Sequence, residues 1–201
     1  MALPLAVTLG EPAGIGPDIT LAAWLRCSRD GEPPFYLIGD ADFLARRARR
    51  LDLDVPIAVV TPNEAVAAFR SHLPVVPIDL PATAEPGVPD ASSAPAAIAS
   101  IRRAVEDVVL GRAAAVVTNP VAKSVLYRNG FAEPGHTEFL ARLAAELTGS
   151  LAHPVMMLWA PELAVVPVTV HLPLRDVPAA LTRALVTETG RIVARDLATR
   201  F

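Results

Sequence analysis

One feature limits the fold more than any other: the apolar spacing changes period again and again along the chain. Residues 5–9 have the length and period of a strand, residues 10–18 interrupt it with three glycines and two prolines, and residues 19–27 take up helical spacing. Pro17 suits the first position of that helix, and Asp18 places an acid near its positive end. The pattern recurs. Residues 35–39 read as a second strand, Asp40 as the N-cap of a helix over 41–51, residues 57–60 as a third strand, 63–72 as a helix and 75–78 as extended chain. Strands alternating with helices predict an α/β protein with a mostly parallel sheet.

Prolines recur from residue 74 to 95 with few periodic apolar positions, which predicts a surface loop or a crossing between lobes. Ser92 or Ser93 is placed to cap the next helix, residues 94–110, where Ile98, Ile101, Val105, Val108 and Val109 recur at helical spacing and Gly111 ends the run. Residues 138–148 read as a further helix, and 155–159 and 163–170 as two strands with Pro161 in the turn between them. Residues 185–201 read as a last helix with Ile192, Val193, Leu197 and Phe201 on one side. A parallel crossover is completed by a strand after its helix, and none follows Phe201, so a C-terminal part is expected to be missing.

Composition removes several functions. At 201 residues and 52% hydrophobic content the chain can bury a sizeable core. A net charge of -3 leaves no electrostatic footprint for nucleic acid or an acidic membrane surface. The one basic run, Arg46-Arg47-Arg49-Arg50, reads as the solvated face of a surface helix. A single cysteine, Cys27, excludes an internal disulfide, suits a reducing compartment and reads as a small buried hydrophobe. The N-terminus lacks the pattern of a signal peptide and no apolar run reaches membrane-spanning length, so a soluble cytoplasmic protein is expected.

The chemistry gathers around residues 113–140. A buried strand, residues 113–117, leaves through Thr118-Asn119-Pro120-Val121-Ala122-Lys123, and a Pro134-Gly135 turn then sets His136 and Thr137 at the head of a helix. Strand ends and helix starts are where α/β proteins bind ligands. Lys123 is the one lysine among eighteen lysines and arginines, which points to a task that a compact ammonium performs better than a planar guanidinium. His136 and Thr137 have two readings: a helix cap with an exposed histidine beside it, or an imidazole, a hydroxyl and free amides turned on one anionic ligand. His171 lies at the expected carboxyl end of a strand, where a metal ligand or general base belongs, although a lone histidine there is more often structural. Asp176 after Arg175 reads as a solvated or capping pair. Residues 10–18 could bring amides to a phosphate, but they lack both the G-x-G-x-x-G spacing and the P-loop lysine-serine pair, and a plain tight turn explains them equally well.

Four segments together carry a resemblance. Val7-Thr8-Leu9-Gly10-Glu11-Pro12-Ala13-Gly14-Ile15-Gly16-Pro17-Asp18, Val117-Thr118-Asn119-Pro120-Val121-Ala122-Lys123, Pro134-Gly135-His136-Thr137-Glu138-Phe139 and His171-Leu172-Pro173-Leu174-Arg175-Asp176 resemble, in order and separation, the 4-hydroxythreonine-4-phosphate dehydrogenase family of pyridoxal phosphate synthesis. The opening turn is also similar to the Gly-Asp-Gly-Ile-Gly-Pro-Glu turn of isocitrate and isopropylmalate dehydrogenases. The resemblance implies their two-lobed αβα sandwich, with residues 1–112 as the first lobe and 113–201 as the start of a second, incomplete lobe that carries the substrate and metal residues.

It also implies an activity: oxidation of 4-phosphooxy-L-threonine by NAD or NADP and loss of carbon dioxide, giving 3-amino-2-oxopropyl phosphate. In such an enzyme three histidines hold zinc, magnesium or cobalt. By position, His136 and Thr137 would be substrate contacts, His171 the first metal ligand, and Lys123 a source of charge stabilisation near the substrate. The family's other metal histidines and later substrate contacts would lie past Phe201, so the chain alone is expected to have little or no activity. A homodimer with its site at the interface is implied. A dehydrogenase of a related phospho-sugar acid such as 4-phosphoerythronate, an inactive remnant that dimerises or binds phosphate, and, less well supported, an acyl-phosphate transferase of similar architecture are the other classes open.

Overall fold

The structure is a computed structural model and describes residues 3–82, 84–131, 133, 135–151 and 153–200. The chain divides after residue 152 into two compact units.

The first unit is built on a five-stranded parallel sheet of β1 (Leu5–Thr8), β2 (Phe35–Gly39), β3 (Ile57–Val59), β4 (Leu73–Pro77) and β5 (Ala115–Val117), in the order β3-β4-β2-β1-β5. β2 lies in the middle with all five residues buried, which is why Phe-Tyr-Leu-Ile-Gly reads as an unbroken apolar run. Its side chains still alternate. Phe35 and Leu37 join Val7, Val75 and Leu73 on one face, under Leu21 and Trp24 of α1 (Gly16–Asp30) and Phe43 and Leu44 of α2 (Ala41–Arg50). Tyr36 and Ile38 join Ala6 and Val76 on the other, under Ala65 of α3 (Ala65–Ala68) and Ala104 of α4 (Ala94–Val109). Helices cover both faces, as crossovers between parallel strands require.

α4 supports the last part of this unit. Its Ile101 and Val105 pack on Phe139 and Leu143 of α6 (His136–Thr148), and Ala94 and Ala97 pack on Val125 and Leu126 of α5 (Lys123–Arg128). On the sheet-facing side a buried polar knot fixes α4: Asp107, fully buried, accepts from the Tyr36 hydroxyl at 2.7 Å and from Arg103 and Arg112. Ser100 binds across the sheet, accepting from the Leu9 amide and donating to the Ile38 carbonyl, each at 2.8 Å.

Several boundaries move. α1 begins at Gly16 instead of residue 19, with Pro17 in its first turn. Asp40 caps α2 as expected, accepting from the Phe43 amide at 3.0 Å. The helix read over 63–72 shrinks to a 3-10 turn, Pro62–Glu64, and α3. Residues 123–128 form a helix that the sequence pattern does not announce. Ser93 stands at the N-cap of α4 without a side-chain capping bond, its hydroxyl donating instead to the Asp90 carbonyl. The expected boundary at 112/113 falls inside the first unit, whose sheet contains both β1 and β5.

The second unit holds an antiparallel hairpin of β6 (Leu158–Ala160) and β7 (Leu163–Val165), a 3-10 turn at Leu174–Asp176, and helices α7 (Val177–Ala180) and α8 (Arg183–Arg200). Pro161 lies in the hairpin turn as expected. The strand read over 163–170 ends at Val165, because Pro167 has no N–H to donate to a ladder. The Pro134 turn and Phe201 of the last apolar face lie outside the described residues.

Candidate functional site

β1 has β2 on one side and β5 on the other, so the winding of the sheet reverses between β1 and β5. Ligands of open α/β sheets bind in the crevice at the carboxyl ends of such strands. Here the chain itself packs the base of that crevice. Gly10 has φ +70, and a Cβ there would stand 2.7 Å from the Asn119 Cβ and from the Pro120 carbonyl oxygen, so only glycine lets the two strand exits meet. The Glu11 amide donates to Pro120 at 2.8 Å. Asn119 is buried: its backbone amide donates to the Thr8 hydroxyl at 3.0 Å, and its Nδ2 donates to the Thr8 carbonyl at 2.8 Å and the Thr20 hydroxyl at 2.9 Å.

Residues 10–18 therefore form a structural joint. The amides of Glu11, Ala13 and Gly14 are engaged by Pro120, the Glu11 carboxylate and the Glu11 carbonyl. Arg47 fastens the far side: its Nε and Nη2 bind Asp18 and its Nη2 also binds the Gly14 carbonyl at 2.8 Å. This corrects the reading of the arginine run. Arg46, Arg49 and Arg50 are exposed, but the Arg47 side chain is only 6% exposed. Nothing in the local sequence marks Arg47, because its partner lies a helix and a strand away.

Beyond Asn119 the chain runs through Val121 and Ala122 to Lys123, the first residue of α5, and returns to His136, the first residue of α6. Gly135 is the N-cap, fully extended and without a side-chain capping bond. Thr137 is thus inside the helix and exposed, and the reading of it as the cap is removed. His136 is half-buried, and its Nε2 is enclosed with no hydrogen-bond partner among the described residues. Burial first, and the positive charge of Lys123 second, hold its pKa below the ordinary 6.5, which favours the neutral ring. Two residues singled out separately in the sequence are in electrostatic reach of each other.

His171 lies in the second unit, exposed, in the left-handed region at φ 57. With β7 ending at Val165 it stands in irregular chain, not at a strand's carboxyl end. Arg175 and Asp176 form an exposed pair at 3.6 Å, which agrees with the solvated reading. Among the described residues no group of three or more histidine, cysteine, aspartate or glutamate side chains could hold a metal ion. The set present does not fit a three-ligand metal centre, and the engaged amides of residues 11, 13 and 14 do not fit a dinucleotide cradle at that turn.

Residues 31–201 match the family described as pyridoxal phosphate biosynthetic protein PdxA. The chain belongs to this family. Lys123, His136, Thr137 and His171 all fall inside the residues matched to PdxA. A 4-hydroxythreonine-4-phosphate dehydrogenase of Bradyrhizobium diazoefficiens is 61% identical over 208 residues, an alignment covering 100% of this chain and 60% of that protein. One of Xanthobacter autotrophicus is 55% identical, covering 98% and 57%. The crystal structure of a 4-hydroxythreonine-4-phosphate dehydrogenase from Burkholderia phymatum matches with a TM-score of 0.82 at 29% identity, covering 98% of this chain and 59% of that one. The chain thus spans 57–60% of the length of these relatives. Its fold is α/β of the isocitrate/isopropylmalate dehydrogenase-like type. No helix among the described residues is long and apolar enough to cross a membrane.

Proposed function

We propose that this chain carries the substrate-binding part of a 4-hydroxythreonine-4-phosphate dehydrogenase of vitamin B6 synthesis, acting with NAD or NADP. The reaction removes the hydroxyl proton and a hydride from the secondary alcohol of 4-phosphooxy-L-threonine, passes the hydride to the nicotinamide, and releases carbon dioxide from the resulting β-keto acid. A proton takes its place, leaving 3-amino-2-oxopropyl phosphate.

The observation that carries the reading is the enclosed, unpartnered Nε2 of His136 at the open N-terminus of α6. A neutral imidazole, first-turn amides and the charge of Lys123 in electrostatic reach form a setting for an anionic phosphoester. Thr137 adds a hydroxyl one residue on. The names of the relatives support 4-phosphooxy-L-threonine over other phospho acids as the substrate. We assign His171 as one ligand of a divalent ion, zinc, magnesium or cobalt, whose other ligands the described residues do not supply, and a homodimer as the working assembly.

Calorimetric titration with 4-phosphooxy-L-threonine, beside an assay of NADH formation with each metal, tests this. Binding without turnover is expected, with His136→Ala weakening affinity by about tenfold or more, the effect of one hydrogen bond to a charged group. Equal affinity for 4-phosphoerythronate would move the assignment to a related phospho acid. Absence of binding, or substantial metal-dependent turnover by this chain alone, would overturn it.

A further inference from the structure

We propose that the cavity between α2 and residues 82 and 84–90 binds a phosphate dianion, free or at the end of a small phosphomonoester, at a site built from different residues than the one at His136. The cavity holds about 750 Å³ and is lined by Arg46, Arg47, Arg50, Phe43, Glu85 and Asp90 among others. That volume suits a small organic molecule better than a lone water.

Arg47 is the reason to read this space as a site. Asp18 and the Gly14 carbonyl hold its Nε and Nη2, which fixes the plane of a guanidinium that is more than nine-tenths buried. Its remaining nitrogen, Nη1, is enclosed and has no hydrogen-bond partner among the described residues, while the side chain lines the cavity. A buried charged donor left unmade is costly, and an oxyanion that entered the cavity and displaced the atoms closing over Nη1 would satisfy it.

The neighbours agree. Arg46 reaches only the Ala82 carbonyl, at a long 3.4 Å, so most of its hydrogen-bonding capacity is uncommitted among the described residues. Arg50 meets Glu85 at 2.8 Å in an exposed pair, an arrangement weak enough to yield to a better anion. The other lining carboxylate, Asp90, is engaged by the Ser92 amide at 2.7 Å and by the Ser92 hydroxyl. Arg46 and Arg50 line the cavity one helical turn apart with the single uncommitted nitrogen of Arg47 between them, and planar guanidiniums match phosphate oxygens in a way that lysines would not reproduce.

The test titrates inorganic phosphate, and glycerol phosphate as a phosphomonoester, into the full chain at constant ionic strength, reading arginine side-chain resonances by NMR. Four proteins are compared: the parent, His136→Asn, Arg47→Lys and the double variant Arg46→Gln/Arg50→Gln. Arg47→Lys keeps a cation for Asp18 and removes Nη1; the double variant leaves the buried pair untouched, so at least one of them retains the fold. We expect saturable shifts of the arginine signals that persist in His136→Asn and weaken by about tenfold or more in each arginine variant. Tighter binding of glycerol phosphate marks an organic ester as the ligand, and equal binding marks the free ion. Arginine shifts absent up to roughly 10 mM ligand, where only millimolar or weaker binding would remain, overturn the proposal. So does unchanged affinity in the folded arginine variants, or loss of the arginine shifts in His136→Asn. Failure here leaves the His136 reading standing, since that site is read by its own variant.

Discussion

The two units use equally apolar sequence to opposite ends. In the first, strands and helices interleave and every side chain of β2 is buried. In the second, among the described residues, no apolar side chain is buried: Leu158, Trp159 and Leu163 of the hairpin are 61%, 68% and 64% exposed, and Leu174 is 86% exposed. The difference teaches that an apolar pattern is a demand for a partner surface and does not supply one. β1 to β5 meet that demand by crossovers that return helices to both faces. A two-stranded hairpin cannot, because both of its faces need covering from elsewhere.

Variants can break or sharpen that contrast. Asp107→Ala should have the largest effect, because it strands two arginines and the Tyr36 hydroxyl around a fully buried position. The loss expected is about 3–5 kcal/mol of unfolding free energy, measured by urea denaturation. A loss below about 1 kcal/mol would mean that the knot does not anchor α4 as described.

Gly10→Ala comes next. Left-handed φ and a Cβ 2.7 Å from the Pro120 carbonyl should together cost about 2 kcal/mol or more, and should lower the thermal midpoint. An unchanged midpoint would show that the two strand exits can part without penalty.

A smaller effect belongs to His136. Burial and Lys123 lower its folded pKa, so the unfolded chain binds more protons over the interval between the two values. Its contribution is fully present above the ordinary value of 6.5 and is lost as pH falls from there through the lower folded value. NMR titration of the ring should give a midpoint below 6.5, moving upward when a phosphate dianion is bound. A free-state midpoint at or above 6.5 would contradict the enclosure of the ring.

The smallest effect should come from Trp159→Ser, which is expected to change stability by no more than about 0.5 kcal/mol. Amides of the hairpin should also exchange faster than those of β2. Destabilisation above about 1 kcal/mol would show that Trp159 is covered in solution, and the contrast between the units would fall.

The local code of the first unit was legible in the sequence. Periodicity showed the strand, turn and helix succession, and Asp40, Pro17 and Gly111 marked helix ends, because these choices depend on neighbours within a turn or two. Four motifs in register pointed to the family. Tertiary structure alone decided the rest. It made the glycine-rich turn a joint to Asn119, buried Arg47 against Asp18, moved the helix cap from Thr137 to Gly135, and left His136 enclosed near Lys123. It also ended β7 before His171. Each of these outcomes depends on which segments meet across the sheet or on whether a strand finds a partner. A single chain's spacing records what each segment can offer, and only packing decides what it is offered in return.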